Sequence, residues 1–180
     1  NTAYELPLRL VGSEMCIRDR IRIMLSLLPN FEEENLIKWL SKKSMSVDGK
    51  PVDNLLETLE HIQKKNIIMG VATNDSVSSA HNQLRENNIK RFFGYIYGFD
   101  SGFGFKPGTG MQKEFLRETS LLANEVIMVG DSMADIESGN KIGMTTVAVL
   151  TGPLGRSELE KKADIVLNSI SEIPSLLQKL

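Results

Sequence analysis

The 180-residue sequence is 41% apolar and 24% charged, with a net charge of −2 and a single cysteine, Cys16. These values are those of an ordinary globular chain with room for about one domain. They exclude a disulfide framework within the chain, a basic field for nucleic acid, and an apolar run long enough to span a bilayer.

Taken in order, residues 1–20 show neither a secretory signal nor a helix or strand period. They look like translated adapter DNA and are expected to be a non-native segment. Residues 21–28 and 31–42 read as helices separated by Pro29-Asn30, with Glu32, Glu33 and Glu34 in a first turn, where the helix dipole favours them. The turn-rich stretch 47–51 (VDGKP) is the best boundary candidate. A regular alternation follows. Helices are predicted over 52–65, 77–88, 110–121 and 133–141, and strands over 67–73, 93–99, 126–130, 145–150 and 164–167, before a terminal helix. Thr109 and Gln112 have the spacing of a capping box, and Gly143 closes the helix over 133–141. Strands alternating with helices predict an α/β fold with a parallel sheet covered on both faces.

In such sheets ligands bind beyond the carboxyl ends of the strands. Three of those ends carry compatible chemistry. Thr73-Asn74-Asp75 follows the first strand, Lys106-Pro107-Gly108 follows the second across a glycine-rich loop, and Gly130-Asp131-Ser132 follows the third, with Asp135 one helical turn on. A hydroxyl and an ammonium suit phosphoryl oxygens. Paired carboxylates suit Mg²⁺, which prefers oxygen ligands and keeps several waters. Two like charges about 4–5 Å apart repel by roughly 3–4 kcal/mol at an effective dielectric near 20. Two aspartates and a phosphate dianion therefore call for a divalent ion as well as a lysine. Each fragment also has a plainer reading: a turn for Thr-Asn, a solvated loop for Lys-Pro-Gly, and helix capping for Asp-x-x-x-Asp.

These residues resemble the haloacid dehalogenase-like phosphohydrolases, in particular the phosphoglycolate phosphatase-like branch. VATND (71–75) is similar to the second motif of that family, FKPG (105–108) to the third and VGDSMADIESG (129–139) to the fourth. The resemblance covers about residues 49–180. It implies a Rossmann-like three-layer sandwich with a mostly parallel sheet, and makes 21–48 the remnant of a helical cap. It implies Thr73, Lys106 and Asp131 as catalytic residues, with Thr73, Asn74 and Lys106 binding the substrate. Asp131 and Asp135 would be the acids on the side of a Mg²⁺ cofactor. The implied partner is a small phosphorylated metabolite, in a cytoplasmic setting, with neither nucleic acid nor membrane; the oligomeric state stays open.

One part of the family pattern has no counterpart. Its first motif, Asp-x-Asp at the end of a central strand, supplies the nucleophile that becomes an aspartyl-phosphate and the general acid and base. No Asp-x-Asp occurs in the 180 residues; Asp19 is followed two positions later by Ile21. The expectation is a phosphomonoester hydrolase whose first central strand is missing or replaced, inactive as written. The alternatives are a non-catalytic phosphate- or metal-binding remnant, or a receiver-like signalling domain, whose acidic pair precedes rather than follows its lysine. A dinucleotide site and a P-loop are excluded by the glycine spacing of 98–105 and by the absence of Gly-Lys-Ser/Thr. His61 and His81 face no motif and read as structural or solvated.

Overall fold

The computed structural model describes residues 54–179, which fall within one compact unit. The segment 1–20, Cys16, the helices expected over 21–28 and 31–42, the cap remnant and the break at 47–51 lie outside the described residues.

Six helices and five strands follow in alternation among the described residues: α1 (Leu55–Lys64), β1 (Gly70–Ala72), α2 (Val77–Glu86), β2 (Tyr95–Tyr97), α3 (Gly110–Thr119), β3 (Ile127–Gly130), α4 (Met133–Asn140), β4 (Thr145–Val149), α5 (Arg156–Leu159), β5 (Ile165–Leu167) and α6 (Ile173–Leu176). The predicted elements appear in the predicted order, with one short unpredicted helix, α5, between β4 and β5, and the first two strands are shorter than expected. Exposed Ile67 and Ile68 precede β1 instead of extending it.

Among the described residues every strand pair is parallel. β1 pairs with β2 in the register Val71 to Ile96; β4 lies between β3 and β5, with Val147 opposite both Val129 and Ile165. Among the described residues the strands form two sheets, β1-β2 and β3-β4-β5. A cavity of about 390 Å³ lies between them, lined by β1 residues Gly70 to Ala72 and by Ile127, Met128 and Val129 of β3.

Side chains alternate across a strand, and this alternation builds three layers. Val71, Val129, Val147 and Val149 point into one core with Leu55, Leu59 and Ile62 of α1, Leu84 of α2 and Ile173 of α6. The intervening positions face the other way. Ala72 and Tyr97 meet Met111 of α3, and Ala148 meets Ile136 of α4 and Leu159 of α5. Helices α1, α2 and α6 therefore cover one face, and α3, α4 and α5 the other. The expected three-layer α/β/α arrangement is present.

The capping box expected at Thr109 and Gln112 does not form. Thr109 is the N-cap of α3 but its side chain makes no cap hydrogen bond. Gln112 is buried instead, donating from Nε2 to Ser138 Oγ at 3.0 Å and tying α3 to α4. A working box stands at α4: the Ser132 hydroxyl caps the helix, and Asp135 in its first turn reaches back to the Ser132 N–H.

Candidate functional site

Three loops leave the carboxyl ends of β1, β2 and β3. Thr73 continues the β1 ladder, donating from its N–H to Tyr97 O at 2.9 Å, and is 4% exposed. Its hydroxyl accepts from the Asp75 N–H at 3.1 Å, which closes a tight turn. Asn74 points across to the loop after β2. Its Oδ1 accepts from the Lys106 N–H at 2.7 Å, and its Nδ2 donates to Lys106 O at 3.0 Å.

That loop is held along its length. Phe99 N–H donates to Asp75 O at 3.0 Å. The Val77 N–H, in the first turn of α2, donates to the Asp100 carboxylate at 2.8 Å. Gly98 permits this approach, because a Cβ there would stand 2.5 Å from both Asp75 O and Val77 N. Phe103 packs edge-on against Tyr97, with ring centroids 5.8 Å apart. Beyond Lys106 the Lys106–Pro107 peptide is cis, and Lys141 Nζ donates to Pro107 O at 2.8 Å.

Lys106 is 1% exposed although it carries a charge. Its ammonium donates to Ala72 O, the last carbonyl of β1, at 2.6 Å and to Asp135 Oδ1 at 2.6 Å. Asp135 is fully buried. Its second oxygen, Oδ2, accepts from the Ser132 N–H at 3.1 Å and from the Ser132 hydroxyl. Both Asp135 oxygens are thus engaged, and the acid sits where the positive end of the α4 dipole favours it. Lys106 also bridges the two sheets, since Ala72 belongs to β1-β2 and Asp135 to the helix that follows β3.

Asp131, 5% exposed, opens the β3–α4 turn. Gly152 packs against it so closely that a Cβ there would lie 2.6 Å from Asp131 Cβ, Cγ and Oδ2. Among the described residues no group of three His, Cys, Asp or Glu side chains is arranged to hold a metal ion. The two acids alone are compatible with Mg²⁺, which needs only one or two carboxylates when phosphate and water complete its shell.

The structure thus brings Asn74, Lys106 and Asp135 together through direct contacts, sets Thr73 between Ala72 and Asn74 in the same strand end, and puts Asp131 at the head of the same turn as Ser132. It gives Asn74 an occupation the sequence reading did not assign, holding the Lys106 backbone. The close seat of Asp131 against Gly152 was also missed; a lone Thr-Gly-Pro after a strand carries no local signal for it. Of the two histidines, His81 on α2 has its imidazole pushed below its ordinary value, first by burial and then by Lys90 and Arg85. Neither histidine belongs to the group around Lys106.

Known proteins share this fold and sequence. The curated relatives include pyrophosphatase PpaX from Bacillus mycoides, 27% identical over 129 residues, which are 71% of this chain and 60% of that protein. The chain therefore spans about three fifths of the length of that relative. Among solved structures, a predicted phosphoglycolate phosphatase from Haemophilus somnus shares the fold with a TM-score of 0.71 at 21% identity, over 78% of this chain and 63% of that one. A HAD phosphatase from Thermococcus onnurineus superposes with a TM-score of 0.64 at 19% identity, over 87% of this chain and 69% of the other. The family described as haloacid dehalogenase-like hydrolase matches residues 19–149, which hold Thr73, Asn74, Lys106, Asp131 and Asp135, and the chain belongs to that family.

Proposed function

We infer that these residues form the phosphate- and cation-binding side of a Mg²⁺-dependent phosphomonoester hydrolase that works through an aspartyl-phosphate. The observation that carries this reading is Lys106. A buried ammonium fixed between the end of β1 and the first turn of α4 is a preorganised positive charge at the crevice where such sheets bind ligands. Thr73 would donate its hydroxyl to a phosphoryl oxygen, and Lys106 would offset the charge that spreads over the equatorial oxygens in the transition state. Asp131 would hold Mg²⁺, with Asp135 acting through Lys106, Ser132 or a water. The ion would neutralise phosphate charge beside the attacking group.

The nucleophile is a carboxylate outside the set of acids described above, since the 180 residues contain no Asp-x-Asp. Its oxygen would attack phosphorus as the ester P–O bond breaks, and water would then release phosphate from the acyl phosphate. Phosphoglycolate, sugar phosphates and, from the name of the PpaX relatives, pyrophosphate are the substrates to screen. The absence of the motif also favours a second reading, a phosphate- and metal-binding protein without turnover.

A p-nitrophenyl phosphate assay with Mg²⁺ separates them. The 180-residue chain is expected to be inactive, and the same chain extended upstream by an apolar strand ending in Asp-x-Asp is expected to turn over. An extended chain that binds phosphate but never hydrolyses it supports the second reading.

A further inference from the structure

We propose that Asn74 is a positioning residue, whose side-chain amide locks the Lys106 backbone and so determines where the Lys106 ammonium stands. One amide group meets both backbone polar groups of a single residue 32 positions away, accepting from its N–H and donating to its C=O. The two partners together dictate which end of the Asn74 amide is oxygen and which is nitrogen. Ala72, two residues before Asn74, then receives the Lys106 ammonium. Residues 72–74 therefore grip Lys106 at both ends, its peptide groups and its charge.

The remaining ties of this loop do not depend on Asn74. Phe99 is bonded to Asp75, Asp100 to Val77, and Pro107 to Lys141. Losing the amide should leave the loop docked and free Lys106 alone. Aspartate at position 74 would keep the acceptor for the shorter bond and lose the donor, so it should release Lys106 only in part. The consequence for phosphate rests on the function proposed above, whereas the clamp itself does not.

The test is competitive acetylation of the purified 180-residue chain, read lysine by lysine by mass spectrometry. Lys113 and Lys161, both exposed, are internal standards. In Asn74→Ala, labelling of Lys106 should rise about tenfold, the scale of losing two ordinary hydrogen bonds, with the standards unchanged. Asn74→Asp should fall between parent and alanine variant. If Asn74→Ala fails to fold, the selective rise must appear in Asn74→Asp. Lys106 remaining as protected as in the parent, or all three lysines rising together in both variants, overturns the proposal. Orthophosphate titrated with Mg²⁺ and followed by ³¹P NMR separates the two readings. Selective release of Lys106 in a chain that binds no phosphate leaves the clamp standing and removes the assignment of these residues to phosphate binding.

Discussion

Lys106 and Asp135 are paired at 2.6 Å with side-chain exposures of 1% and 0%, whereas the other described ion pairs each hold an arginine at least 43% exposed. Two unit charges at that separation attract by about 6 kcal/mol at an effective dielectric of 20. Desolvation costs several kcal/mol per ion, so the pair as a whole contributes little net stability. Breaking it is different. Lys106→Met leaves the Asp135 carboxylate buried with only its Ser132 donors among the contacts described, and should cost about 3 kcal/mol, the lower end of the range for orphaning one member of a buried pair. Asp135→Leu leaves the ammonium facing the Ala72 carbonyl and should cost about 5 kcal/mol. The double variant removes both charges and should be more stable than either single one. Urea unfolding followed by circular dichroism reads all three, provided the slope with denaturant is unchanged. Singles that each cost under about 1 kcal/mol and simply add in the double would refute the reasoning, because that is how exposed pairs behave.

Gly152→Ala should destabilise by about 1–3 kcal/mol, the usual cost of overpacking, since its Cβ would lie 2.6 Å from three atoms of Asp131. Gly155→Ala, whose nearest neighbour would be Glu158 Oε2 at 3.7 Å, is the control, and equal melting of the two variants contradicts the close seat. The Asp164 carboxyl is held below its ordinary value of 3.8, first by the Thr146 N–H and then by the Thr146 hydroxyl. A depressed folded-state value means stability that is present above the unfolded value and lost as pH falls through the folded one. Asp164→Asn should therefore be less stable than the parent at pH 7, with the gap closing on acidification below about pH 4. A gap independent of pH in parallel melts would sink this assignment.

The alternation of strands and helices was legible because apolar runs bounded by glycine and polar turns are local signals. The site was legible only as residue types at strand ends. The predicted strand over 126–130 and helix over 133–141 both formed, β3 ending at Gly130 and α4 starting at Met133. Strand lengths were overestimated at Ile67 and Ile68, since an apolar run does not reveal where its partner strand stops. Gln112 was read as a capping residue from its spacing, but Ser138, 26 positions away, captured its amide. The tie of Asn74 to the backbone of Lys106, 32 positions on, is likewise absent from the local pattern that suggested substrate binding. In both cases the deciding partner is remote in sequence, and a three-residue pattern carries no trace of it.

The bonds that secure Lys106 span 29 to 34 positions of chain, so each closes a loop whose entropy cost precedes its reward. A growing polypeptide exposes Ala72 and Asn74 first, then Lys106, and Asp135 last. The lysine can thus dock on the edge of β1 before its counter-ion has been synthesised. The charge balance around Lys106 is completed only when the start of α4 arrives, so the short turn from Gly130 to Asp135 is the last piece to lock the lysine in place.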